Sequence, residues 1–96
     1  MWACVVRADL RLPGVQSLKQ KRAVLRPHVE RLRRLASLSV AEVGNHDYWQ
    51  RSVLGVAIVA PDRGHLDTLI GKVRNYLEGQ HDIELIEWAV THLEEP

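Results

Sequence analysis

From Asn45 to Val56 the chain reads NHDYWQRSVLGV, which sets His46, Asp47, Tyr48, Trp49 and Arg51 directly ahead of an apolar run. An imidazole beside a carboxylate is the raw material of general acid–base chemistry, and two rings beside a guanidinium make a packing or contact surface. Catalysis would require His46 and Asp47 to converge on one proton. Side chains of adjacent residues diverge in most backbones, and no nucleophile or third orienting group stands nearby, so no catalytic residue is assigned. The stretch is expected to serve packing or an interface. In that reading Tyr48 and Trp49 anchor a hairpin, and Asp47 either caps it or pairs with Arg51.

His28, His65, His81 and His92 are scattered, with no pair at the i, i+4 spacing of a helical metal site and no cysteine cluster beside them. Neither a metal nor a cofactor is expected. The lone Cys4 lies in an alternating apolar run, where an inert core thiol is expected. A further stretch, PGVQSLKQKR, resembles the phosphate loop of acylphosphatases in its Val15 and Gln16. Ser17 stands where that loop has glycine, and the Phe-Arg pair that clamps phosphate is missing, so phosphatase chemistry is not expected.

Charge makes the strongest pattern. Residues 17–36 carry Lys19, Lys21, Arg22, Arg26, Arg31, Arg33 and Arg34 against Glu30 alone, a local balance of +6, inside a chain whose net charge is +1. Residues 78–96 reverse it with Glu78, Asp82, Glu84, Glu87, Glu94 and Glu95, a balance of −6. On a helical wheel Lys19, Arg22, Arg26 and Arg33 form a line beside an apolar stripe, with Arg34 further round and Lys21 near the buried side. A helix from Leu18 to Ala36 spans about 28 Å, enough to meet several phosphates of a nucleic acid. Ser17 and the helix N-terminus add a possible anion contact. The competing expectation is a solvated helix face, with Glu30 pairing with Arg26, Arg33 or Arg34 and the acidic last strand neutralising the helix within a protomer or between protomers.

The elements that must carry these residues follow from periodicity. WACVVRADLRL alternates Trp2, Cys4, Val6, Ala8, Leu10 and Leu12 on one face, which predicts a long strand. Ser17 then fits an N-cap. Leu18, Val24, Leu25, Val29, Leu32, Leu35 and Ala36 form the stripe of a helix that Pro27 is expected to kink or split in two. LSVAEV predicts a second strand, and SVLGVAIVA a third that is apolar on both faces and so belongs inside a sheet. Asp62 caps a second helix with Leu66, Leu69, Ile70, Val73, Tyr76 and Leu77 buried and Gly79 as its stop. DIELIEWAVTHL predicts a fourth strand, Ile83 and Leu85 facing one way and Ile86, Trp88 and Val90 the other.

The order βαββαβ, with right-handed crossovers, predicts an α+β protein of one domain over residues 1–96. It is a ferredoxin-like plait, a four-stranded antiparallel sheet with both helices on one face. The other face is expected to show Ala3, Val5, Ile86, Trp88 and Val90, more apolar surface than a small monomer leaves wet. Trp88 joins the loop residues as an expected interface group, and a homo-oligomer, most simply a dimer, follows. No apolar run is long enough to span a membrane and the first residues do not form a leader, so a cytoplasmic protein is expected.

LPGVQSLKQKR followed by SVAEVGNHDYWQRSVLGVAIV resembles the YlxP-like family of small bacterial domains of unknown function, and the likeness covers nearly the whole chain. The resemblance implies the same plait. It also implies a connection with RNA or a ribosomal subunit, because such proteins tend to be encoded beside translation-initiation and ribosome-maturation genes. It supplies no catalytic residues. The expectation is thus a non-enzymatic protein that contacts RNA through Ser17, Lys19, Lys21, Arg22, Arg26, Arg33 and Arg34. The rival is a protein-interaction module using the apolar sheet face and the acidic end.

Overall fold

A computed structural model describes residues 1–36 and 38–94. Its elements are β1 (Trp2–Arg11), α1 (Leu18–Ala36), β2 (Ser39–Gly44), β3 (Arg51–Ala60), α2 (Arg63–Glu78) and β4 (Glu84–Glu94). The strands form one antiparallel sheet in the order β2-β3-β1-β4. This is the ferredoxin-like arrangement, with the two βαβ units interleaved so that β1 and β3 lie at the centre. Cys4, Val6, Ala8 and Leu10 of β1 and Leu54, Val56, Ile58 and Ala60 of β3 share a face. They bury it against Leu25 and Leu32 of α1 and Leu66, Leu69, Val73 and Leu77 of α2. Each valine, leucine or isoleucine among them contributes about 1.5–3 kcal/mol when fully removed from water. Burial also pushes the Cys4 thiol above its ordinary range, with the Asp67 carboxylate adding to the rise.

Local chemistry sets the helix ends. The Ser17 hydroxyl accepts from the Gln20 N–H at 3.0 Å and the Gln20 side chain accepts from the Gln16 N–H at 2.8 Å, a reciprocal cap that starts α1. The Asp62 carboxylate does the same for α2, accepting from the His65 N–H at 2.8 Å. At the other end, the Gly79 N–H returns to the carbonyls of Asn75 and Tyr76.

Two expectations need correction. First, α1 runs through Pro27 as one continuous element, so of the two expected outcomes the split into two pieces does not occur. Ala23 and Pro27 are both exposed, so water can serve the Ala23 carbonyl that loses its donor to the pyrrolidine ring. Second, Trp88 and Val90 do not join the open face of the sheet. Asp9 pairs with Glu87 but Leu10 pairs with Leu85, leaving Ile86 as the extra residue of a bulge. That insertion puts Leu85, Trp88 and Val90 together on the helix side, packed against the core. The Arg74 guanidinium of α2 lies 5.4 Å from the centre of the Trp88 ring.

The open face is apolar by other means. Val5, Val43, Val59 and Leu93 are exposed there, around a shallow groove of about 450 Å³ that Ala41, Ala57 and Ala89 help to line. Gly55 lies against Val43 there, and a Cβ at that position would meet Val43 Cγ1 at 3.0 Å, so the valine would have to give way.

Candidate nucleic-acid interface

α1 and the β2–β3 loop enclose a cleft of about 480 Å³. Leu25, Val29 and Leu54 supply its apolar floor, while Arg22, Arg26 and Arg33 from α1 and His46 and Asp47 from the loop stand around it. Arg22 and Arg26 are exposed, and among the described residues no ion pair engages either of them, nor Lys19 or Arg34. Lys19, Arg22 and Arg26 follow one another at helical spacings of three and four, where like charges repel by about 0.2–0.5 kcal/mol per pair. The first turn of α1 contains no acidic residue to offset the positive end of the helix dipole. This cationic wall thus keeps three cations outside any ion pair among the described residues, although Glu30, Glu42 and Asp47 also line the cleft.

Among the described residues no ion pair joins the acidic end of the chain to that wall. Glu78 engages Arg74, Glu84 engages Arg11, and the Asp82 carboxylate accepts from His28 Nε2 at 2.8 Å. Glu95 lies outside the described residues. His28 is buried in α1 and also meets the Tyr76 hydroxyl at 2.7 Å through Nδ1. A carboxylate only accepts, so Nε2 carries a proton, and in the neutral ring Nδ1 accepts from Tyr76. The triple of Tyr76, His28 and Asp82 joins α1, α2 and the entry to β4.

Three of the predicted contact residues have internal duties. Lys21 is 2 % exposed; its ammonium pairs with Glu42 Oε2 at 2.8 Å and donates to the carbonyls of Asn45 at 2.7 Å and His46 at 3.4 Å. It is thus withdrawn from any outside ligand and ties the loop to α1. Arg33 donates to Glu30 Oε1 at 2.9 Å and to the Val40 carbonyl at 3.0 Å, one bond from each terminal nitrogen of its fork. The Ser17 hydroxyl is the helix cap. Glu42 and the Val40 carbonyl were not singled out by sequence. The position of Lys21 on the edge of the apolar stripe was the one signal that a buried partner existed.

The loop also differs from expectation. Tyr48 is 61 % and Trp49 52 % exposed, so neither ring anchors the hairpin. Its shape comes from the main chain. Asn45 sits at φ 58, the left-handed region that asparagine tolerates, and its carbonyl accepts from the Tyr48 N–H at 3.1 Å. His46 Nε2 donates to the Glu42 carbonyl at 3.1 Å. At the far end the Gln50 carbonyl accepts from the Leu12 N–H, and the Gln50 side chain donates to the Val15 carbonyl. Among the described residues no ion pair joins Asp47 to Arg51. Arg51 instead lies opposite Arg11 in the sheet, with its Nε buried and without a hydrogen-bond partner. Among the described residues no three His, Cys, Asp or Glu side chains converge on a point that would hold a metal ion.

Residues 3–90 match the model of the family described as "Protein of unknown function (DUF503)". The chain is also similar to "Uncharacterized protein YlxP" of Bacillus subtilis (strain 168), with 34 % identity over 68 residues, which cover 71 % of this chain and 74 % of that protein.

Proposed function

The chain belongs to the family of proteins of unknown function DUF503, and from that premise we propose that it is a cytoplasmic RNA-associated protein. In this reading α1 holds the phosphate backbone of an RNA or of a ribosomal subunit. The supporting observation is that Lys19, Arg22 and Arg26 are exposed on one helix face outside any ion pair among the described residues, and that Arg22 and Arg26 line a cleft large enough to admit part of a ligand. Neutralising phosphates releases counterions, so the affinity falls steeply with salt. The proposed role is binding without catalysis. In the loop that resembles a phosphate cradle, the N–H groups of Val15, Gln16 and Gln20 already serve Leu12 O, Gln20 Oε1 and Ser17 Oγ.

Titration of a structured RNA between about 50 and about 200 mM salt tests the proposal. The double variant R22Q/R26Q is expected to bind roughly tenfold more weakly at the lower salt, with the log–log salt slope shallower by about 2. No binding by the wild-type protein at low salt, or identical binding by the variant, refutes it.

A second reading rests on the open face of the sheet, where Val5, Val43, Val59 and Leu93 remain exposed. We propose a second copy of this chain as its occupant. Arg7 and Arg11 of β1 and Glu84 and Glu87 of β4 border this face with charges of both signs, which lets a two-fold-related copy set cation against carboxylate. Sedimentation at tens of micromolar is expected to find a dimer that V59K converts to monomer. A wild-type monomer under those conditions removes this reading and leaves the first intact.

A further inference from the structure

The chain has three tryptophans, two tyrosines and no phenylalanine. Three of these five rings are engaged by the fold. Trp2 and Trp88 pack against the core beneath the guanidinium groups of Arg63 and Arg74, and Tyr76 packs edge-on against His28. The remaining two, Tyr48 and Trp49, are neighbours in sequence and stand mostly in water. Exposed aromatic area of this size is unfavourable, and here it lies on a loop that is held firmly at both ends. Lys21 and His46 fasten its start, and Leu12 and Gln50 fasten its finish. Asp47, the residue before Tyr48, lines the cleft that carries Arg22 and Arg26.

Two exposed rings on a loop whose preceding residue lines the cleft of two unpaired guanidinium groups match the chemistry of an unpaired nucleotide, whose base offers a flat π-face and whose backbone offers a negative charge. We propose that Tyr48 and Trp49 form a stacking platform for unpaired bases. The RNA held by α1 is then single-stranded or looped, not a continuous duplex. A duplex hides its base faces and presents only backbone and grooves. The open face of β1 and β3 carries no ring at all: it presents Ala3, Val5, Arg7, Asp9 and Arg11 against Arg51, Val53, Gly55, Ala57 and Val59. Stacking on the sheet, the habit of RNA recognition motifs, is thus absent from these strands, and the loop takes its place. The inference rests on the RNA-binding proposal above and deepens it by naming the class of RNA.

The test compares a single-stranded oligoribonucleotide with a duplex of equal length, each titrated at low salt against the full-length protein. The wild type is expected to bind the single strand roughly tenfold more tightly. Y48A/W49A is expected to lose most of that preference, since stacking on one ring contributes about tenfold in affinity. Its duplex binding and its salt slope stay unchanged, because neither ring is charged. W49F, which keeps a π-face, retains the preference; a loss there equal to that of the alanine variant counts against stacking. Both rings are exposed, so a circular-dichroism melt is expected to coincide with that of the wild type.

Three other outcomes separate the alternatives. If R22Q/R26Q weakens single-strand binding while Y48A/W49A does not, the platform is refuted and the RNA reading survives. If neither RNA binds at low salt, both fail together. If Y48A/W49A converts a dimer to monomer without touching RNA affinity, the two rings belong to a protein contact and the platform is refuted.

Discussion

Replacing Lys21 with methionine is expected to lower the unfolding free energy by about 3 kcal/mol. The side chain is 2 % exposed, and its ammonium is the meeting point of Glu42 and two loop carbonyls. Removing it leaves a carboxylate without its cation and the carbonyls of Asn45 and His46 without that donor. Breaking a buried pair in this way destabilises proteins by about 3–5 kcal/mol. The lower end applies here because the Glu42 side chain is 25 % exposed and keeps a hydrogen bond from Ser52 at 2.6 Å. Urea titration measures the loss. The double variant K21M/E42Q should regain part of it, since the stranded charge is then gone. A loss below about 1 kcal/mol for K21M would show that water reaches the ammonium freely.

Leu54 to alanine is expected to be equally severe. Leu54 is 0 % exposed on a strand that is hydrogen-bonded on both sides, to β1 and to β2. A strand held by two neighbours cannot move inward to fill the space, so the lost transfer energy and the cavity add to about 3 kcal/mol. For a chain of this size that corresponds to a fall in Tm of roughly 12–24 °C by calorimetry. Val59 to alanine, on the open face of the same strand at 65 % exposure, is expected to change stability by less than about 0.5 kcal/mol. If both substitutions gave similar losses, the assignment of faces along β3 would be wrong.

Most of the plait is legible in the residues themselves. Alternation from Trp2 to Leu12 names the buried face of β1 residue by residue, and Asp62 and Gly79 bracket α2 as their side chains require. What is not legible depends on partners far along the chain. Leu85 and Ile86 are equally apolar, so nothing local says which of them the bulge expels; the register against β1 decides. Likewise Lys21 is legible as a cation near a stripe, but Glu42 and the turn carbonyls that bury it come from the next strand and loop. The rings of Tyr48 and Trp49 point to packing by type alone. Burial needs something to cover them, and no described element leaves them buried. Of the seven predicted contact residues, those the fold leaves outward are Lys19, Arg22, Arg26 and Arg34, while Ser17, Lys21 and Arg33 serve the architecture.

The bulge at Ile86 acts as a frame marker for the last strand. Side chains alternate with a period of two, so one surplus residue decides which of two interleaved sets meets the helices for the whole stretch that follows. In the observed frame the inward set is Trp88 and Val90, and the outward set is Glu87, Ala89 and Thr91. A substitution in this segment disturbs one contact. A change of length there exchanges the sets wholesale, turning a carboxylate toward the interior and an indole toward water, so the segment is far more forgiving of altered letters than of altered count.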